Sequence, residues 1–197
     1  MRIDTGVAAL ALPGQRESGD LSLVKRVGHG VLAAVVDGLG HGEEAAEAAH
    51  AAVGVIDRHA KEPLPDLIKR CHTSLVGTRG VVLSVAFLDP GTKTMTWIGI
   101  GNVCGLLLRG DGGAKPSRVS LVPVAGFVGL EEPHIAPRVV PIARGDTVIL
   151  ATDGISTSFS DSLQTRLAPQ AMADDILARH ATRKDDALVL VARYVGG

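Results

Sequence analysis

The chain has 197 residues, of which 46% are hydrophobic, 21% charged and only 3% aromatic. That length suits one domain with a sizeable core, packed from Ala, Val, Leu and Ile rather than rings. A formal net charge of −1 and the lack of any basic run argue against a nucleic-acid or anionic-membrane surface as the main partner.

In chain order, Met1 to Leu12 lack the charged start and long apolar stretch of a signal peptide. No apolar run anywhere approaches the roughly 20 residues of a membrane span, so the expected location is cytoplasmic. Residues 21–27 are expected as a strand. Val31-Leu-Ala-Ala-Val-Val36 is a continuous apolar run closed by Asp37-Gly38, the pattern of a strand buried on both faces that delivers its last residue to a loop. Residues 43–60 predict a helix. Ala45, Ala49, Val53, Ile56 and Ala60 recur at helical spacing, and Glu43 and Glu44 suit the positive N-terminal end. A second helix starts near Pro65, with Leu67, Ile68, Cys71 and Leu75 inward.

From Gly80 to about Ala151 the pattern changes to strands and turns. The expected strands are 81–88, 94–98, 103–108, 119–124 and 147–151. Asp89-Pro90-Gly91, Gly110-Asp111-Gly112-Gly113 and Arg144-Gly145-Asp146 punctuate them. A last helix is expected over 168–180 and a closing strand over 187–192. Cys71 and Cys104 stand outside any paired motif and are expected as reduced thiols, without disulfide or zinc site. No repeat or linker divides the chain, so residues 1–197 are expected to form one domain. The order predicts an α+β fold, a mostly antiparallel sheet assembly covered by helices. Two stacked sheets would explain why several strands read as unbroken apolar runs.

Four acidic sites share one feature: an Asp at the edge of a predicted strand, with glycine or a second acid beside it. They are Ser18-Gly19-Asp20, Asp37-Gly-Leu-Gly-His-Gly42, Thr152-Asp153-Gly154 and Asp185-Asp186. Carboxylates converging at strand ends would repel one another unless cations neutralised them. Oxygen-only ligands suit hard ions such as Mg²⁺ and Mn²⁺. Two such ions about 4 Å apart can activate water and steady a phosphoryl group during in-line attack. A lone Asp-Gly after a strand is more often a turn, and Gly145-Asp146 is read that way.

These residues resemble the signature of the metal-dependent protein phosphatase (PPM) family, in its bacterial sporulation and stress-response branch. The similarity spans nearly the whole chain. It tightens at Lys69-Arg-Cys71, Thr78-Arg-Gly80, Gly99-Ile-Gly-Asn-Val103, Pro123-Val-Ala-Gly-Phe127 and Arg183-Lys-Asp-Asp186, toward the small stressosome-linked members. The resemblance implies an α-β-β-α sandwich with two divalent cations, Mn²⁺ or Mg²⁺, at one edge of the sheets. Asp37 would bridge both ions, Gly38 would offer its carbonyl, and Asp20, Asp153 and Asp185 would complete the shell directly or through water. Asp37 and Asp153 are the candidate catalytic residues, and a metal-bridging hydroxide the nucleophile.

The resemblance further implies a serine/threonine phosphatase that resets stress signalling by acting on phosphorylated STAS-domain stressosome proteins. A monomer or weak dimer is expected. This chain departs from the pattern in three places. Ala187-Leu188 follow the last acids where relatives have any residue and then Thr, so a supporting hydroxyl is absent. Arg16 lies one residue out of register with the arginine that holds phosphate in many relatives, and a surface role is its default. The flap that carries a third metal ligand is too short here. His41 in the metal loop is read first as an exposed loop residue, His50, His59, His72 and His180 as surface residues, and Asn102 stays open between cleft and turn.

Two other readings stand beside the phosphatase. One is a catalytically weak relative that binds partners in the same signalling complex, against which the intact acids argue. The other is a binuclear hydrolase of small phosphoesters, weakened by the lack of a phosphate-cradling glycine loop and of aromatics for stacking. With 19 residues before Asp20, no sensor domain fits, so control is expected from protein amount, metal supply or docking.

Overall fold

The computed structural model describes residues 2–110 and 117–196. The expected punctuation at Gly110-Asp111-Gly112-Gly113 falls largely outside them. Among the described residues two five-stranded antiparallel sheets form. One has the order β1 (Arg2–Leu10), β10 (Ala187–Gly196), β9 (Thr147–Ala151), β6 (Cys104–Leu108) and β7 (Arg118–Leu121). The other runs β2 (Asp20–Val27), β3 (Gly30–Gly38), β4 (Val81–Asp89), β5 (Thr94–Ile100) and β8 (Arg138–Pro141). Helices α1 (Glu43–Arg58) and α2 (Leu64–Leu75) cover the β3-containing sheet, and α3 (Pro169–His180) covers the β10-containing sheet. This is the α-β-β-α sandwich.

The unbroken apolar strands now have a physical account. In β3, Leu32, Ala34 and Val36 pack with α1 and α2, while Val31, Ala33 and Val35 face the opposite sheet. In β10, Leu188, Leu190 and Ala192 point between the sheets, and Ala187, Val189 and Val191 point to α3. Period-two alternation is present, but both faces are dry, so both need apolar side chains. On α1 the buried face is built largely from Ala45, Ala46, Ala48, Ala49 and Ala52, small enough for the helix to lie close on the sheet. Between the sheets the lone tryptophan, Trp97, is buried and donates its indole N–H to Ser84 Oγ at 3.0 Å.

Every predicted strand and helix is present, with shifted ends. The strand expected over 119–124 stops pairing at Leu121, because Val122 turns out to solvent and Val124 bridges Ile100 instead. Two strands were not foreseen. β1 alternates poorly, and its Gly6 lies so close under α3 that a Cβ there would stand 2.3 Å from Gln170 N. β8 is a four-residue edge strand ending in Pro141. A 3-10 turn over Thr157–Ser162 was also unforeseen.

The turn at Gly145-Asp146 forms, but Asp146 is more than a turn residue. It is 2% exposed and accepts from Gly110 N at 2.8 Å, Ala143 N at 3.1 Å and Arg109 Nη1 at 2.8 Å. A carboxylate holding two backbone donors and a guanidinium braces the foot of β9. Cys71 is buried and Cys104 half-buried, both free, and burial pushes the Cys71 thiol up to about 12. Among the described residues no helix is long and apolar enough to cross a membrane.

Candidate metal centre

Asp20 opens β2 and Asp37 stands at the end of β3, and the antiparallel register sets them directly opposite each other. Thr152-Asp153-Gly154 follows β9, and Asp185-Asp186 precedes β10. These strands are also antiparallel neighbours, with Ala151 opposite Val189, so the end of one meets the start of the other. Thr152 joins the two sheets. Its backbone N–H donates to Leu188 O at 3.1 Å, and its hydroxyl accepts from Leu188 N at 2.9 Å. That hydroxyl gives its single proton to Asp20 Oδ2 at 2.7 Å. Two hairpin-like pairings and one hydroxyl therefore bring the four acidic sites to one edge. A supporting hydroxyl, expected to be absent, does reach the acids, from Thr152.

Two glycines are required here by space. A Cβ on Gly38 would stand 2.1 Å from Ala45 O, because the first turn of α1 lies on the loop. A Cβ on Gly154 would stand 1.9 Å from Asp186 O. Bare backbone lets the acidic loops approach that closely.

The five carboxylates have different surroundings. Asp186 is buried and is an anchor, its Oδ1 accepting from Leu12 N and its Oδ2 from Gly19 N, both at 2.7 Å. It fixes the segment that enters β2, a role that sequence reasoning missed. Asp153 is exposed and accepts from Asn102 Nδ2 at 2.7 Å, so Asn102 does reach the cleft. Asp185 is half-buried beside them. Burial first, then Asp186, Asp153 and Asp185, hold the Asp20 carboxyl at about 7 against the lowering effect of Thr152. Asp37 is raised to about 8 by burial and by Asp20, Asp153, Asp185 and Asp186. Asp153 is raised by burial and by Asp185.

Among the described residues, none of these five acids takes part in an ion pair. Like charges gathered without a counter-charge are the chemistry of a cation site. The donor set, all oxygen, fits Mg²⁺ or Mn²⁺. No three of the side chains form a ready-made cage among the described residues. Backbone carbonyls and water would have to complete any shell.

Other singled-out residues fall outside this set. Arg16 is exposed, and His41 is exposed with its Nδ1 3.4 Å from Gln15 Nε2. His50 is exposed, His59 pairs with Glu62 at 3.0 Å, and His180 Nε2 lies 2.9 Å from Ser162 Oγ. His72 departs from the expected surface role: it is half-buried and accepts from Gly129 N at 3.1 Å.

The sequence profile of the stage II sporulation protein E (SpoIIE) family matches residues 27–195. The chain is similar to phosphoserine phosphatase RsbX of Bacillus subtilis (strain 168), with 25% identity over 187 residues, 93% of this chain and 91% of RsbX. A crystal structure of RsbX in complex with magnesium superposes with a TM-score of 0.86 at 24% identity, over 97% of this chain and 94% of that one. A chain from "The bacterial stressosome: a modular system that has been adapted to control secondary messenger signaling" gives a TM-score of 0.88 at 28% identity. That match spans 98% of this chain and 100% of the other.

Proposed function

The chain belongs to the SpoIIE family and is a protein serine/threonine phosphatase; we propose that it works through two divalent cations on phosphorylated stressosome proteins with STAS domains. The observation that carries the metal reading is the edge of five carboxylates without an ion pair, two of them held near neutral pH. Asp37 would bridge the ions, the Gly38 carbonyl would bind one, and Asp20, Asp153 and Asp185 would complete the shells directly or through water. When bound, such a pair of ions activates water and neutralises the phosphoryl oxygens during displacement.

The chain's own residues set the geometry. Thr152 aims Asp20 by donating to its carboxylate, and Asn102 steadies Asp153 in the same way. Contacts that orient ligands in this manner are typically worth 10–100-fold in metal affinity or activity. Asp186 keeps the entry of β2 in place behind them. Residues 1–197 act as one catalytic domain in this reading, located in the cytoplasm, as a monomer or weak dimer. The stressosome assignment is supported by the similarity to RsbX and to the stressosome chain.

The test is phosphate release from phosphorylated STAS-domain proteins with Mn²⁺, with Mg²⁺ and with excess chelator. Release with either metal and none with chelator is expected. Full activity in chelator would remove the cations from the mechanism. Metal-loaded protein that binds these partners without releasing phosphate would favour the binding-module reading.

Substrate selection is expected to lie in docking. Asp153 and Asn102 are exposed at the edge, open to the surface of a folded partner. An intact phosphorylated parent protein should therefore show kcat/KM at least about tenfold above its own phosphopeptide, a difference of about 1.4 kcal/mol. Equal values would show that surfaces beyond the phosphosite contribute nothing.

A further inference from the structure

Resting on the phosphatase reading above, we propose that Arg79 is the residue that grips the substrate phosphate beside the Asp37–Gly42 loop. A phosphate monoester is a dianion, and the edge it must enter is lined by acids. Cations supply charge, but a tetrahedral group also needs directed donors to fix its orientation. A guanidinium supplies them as a planar fork.

Arg79 sits in the tight turn after α2, on a rigid base. Thr78 Oγ1 donates to Leu75 O at 2.7 Å and accepts from Gly80 N at 3.0 Å. Gly80 O in turn accepts from Leu39 N at 3.1 Å, which stitches this turn to the candidate metal loop. The guanidinium then lies against that loop: a Cβ placed on Gly40 would be 2.7 Å from Arg79 Nη1. Gly40, at φ +89, leaves the room that the guanidinium fills.

The charge is only partly used. Arg79 Nε donates to Glu44 Oε2 in the first turn of α1, and no other acceptor for its side chain occurs among the described residues. The side chain is 48% exposed, so the two Nη groups stay available to an incoming anion. Such a half-exposed pair adds little stability by itself. Arg16, the arginine singled out by position in the sequence, is exposed on the segment between Leu12 and Gly19, and those two ends are what Asp186 holds. The geometry places the Arg79 guanidinium itself against the loop that contains Asp37 and Gly38, whereas from the other segment it is Gln15, and not Arg16, that reaches His41.

The experiment measures binding of inorganic phosphate to the full, Mn²⁺-loaded chain by calorimetry, beside turnover of a phosphoprotein and Mn²⁺ affinity. Arg79→Ala should weaken phosphate about 10- to 100-fold, as expected for charged hydrogen bonds, with Mn²⁺ affinity and melting temperature unchanged. Arg79→Lys should restore only part of the loss, because an ammonium cannot bind bidentately. Glu44→Gln breaks the same ion pair but keeps the guanidinium, and should leave phosphate affinity within about twofold. Unchanged phosphate affinity in Arg79→Ala would overturn the proposal. So would equal losses in Arg79→Ala and Glu44→Gln, which would make the pair a brace, or a loss confined to Arg16→Ala. Wild-type protein that binds phosphate through Arg79 yet turns nothing over would defeat the phosphatase reading and leave this one standing.

Discussion

Replacing Asp37 with asparagine should cut turnover by roughly a thousandfold or more, and should also make the metal-free protein more stable. The first effect follows from removing the proposed bridge between two ions, whose charge stabilisation is worth several kcal/mol at 1.36 kcal/mol per decade. The second follows from the acid's own titration. The Asp37 carboxyl moves from 3.8 to about 8 on folding, mainly through burial and then through Asp20. Between those values the folded state keeps a proton that the unfolded chain has released. Stability of the metal-free protein therefore falls as pH rises across that window. The penalty is absent below 3.8 and complete above about 8, where it is on the order of a few kcal/mol.

Asparagine carries no charge and removes that slope. Thermal melts of metal-free wild type and Asp37→Asn, at pH 5 and at pH 8, should show a gap that widens at the higher pH. Asp20, raised to about 7, adds to the wild-type slope in both proteins. A variant that unfolds, or that retains wild-type turnover with saturating Mn²⁺, would make Asp37 scaffold rather than ligand.

Asp146→Ala should do the reverse, costing about 3–5 kcal/mol of stability while sparing turnover per folded molecule. Its partner Arg109 is only 11% exposed, and removing one member of a buried pair strands the other charge. Gly110 N and Ala143 N would lose their acceptor in the same step. Arg109 Nε already finds no partner among the described residues, and Nη1 would keep only the neutral Pro141 O, at 2.7 Å. The denaturant midpoint and the specific activity of the folded fraction, measured together, check both halves. A change below about 1 kcal/mol would return Asp146 to the ordinary turn suggested by its sequence. From Asp146 to Asp153 the chain climbs roughly 20 Å along β9. The brace and the candidate metal edge thus occupy opposite ends of one strand.

That contrast marks what can be read without coordinates. Asp37-Gly38 and Thr152-Asp153-Gly154 were legible because a long apolar run ends on an acid, and only a strand end explains both. The sandwich was legible because Val31–Val36 and Ala187–Ala192 lack the polar alternation of a half-exposed strand. Asp146 and Asp186 were not distinguishable from their neighbours. Asp186 accepts from Leu12 N and Gly19 N, and Asp146 accepts from Gly110 N, and nothing local marks an acceptor for such distant donors. Thr152 looked like part of a motif rather than the donor to Asp20, since its target lies in the other sheet. β1 was hidden because it is held by pairing with β10 and by α3 resting on Gly6, not by its own propensity.

The shortage of rings has an optical consequence. With one tryptophan in the chain, and that one sealed between the sheets against Ser84, red-edge excited fluorescence comes from a single emitter in a single environment. Its emission should be blue-shifted and should report the separation of the two sheets directly, without labelling. The acids lie beyond the strand ends: Asp37 faces Val82 on β4, whereas Trp97 pairs with Ala86 farther along that strand, so occupancy of that edge should leave the spectrum nearly still. Tryptophan emission can then follow unfolding in a metal-loaded sample without interference from loading itself.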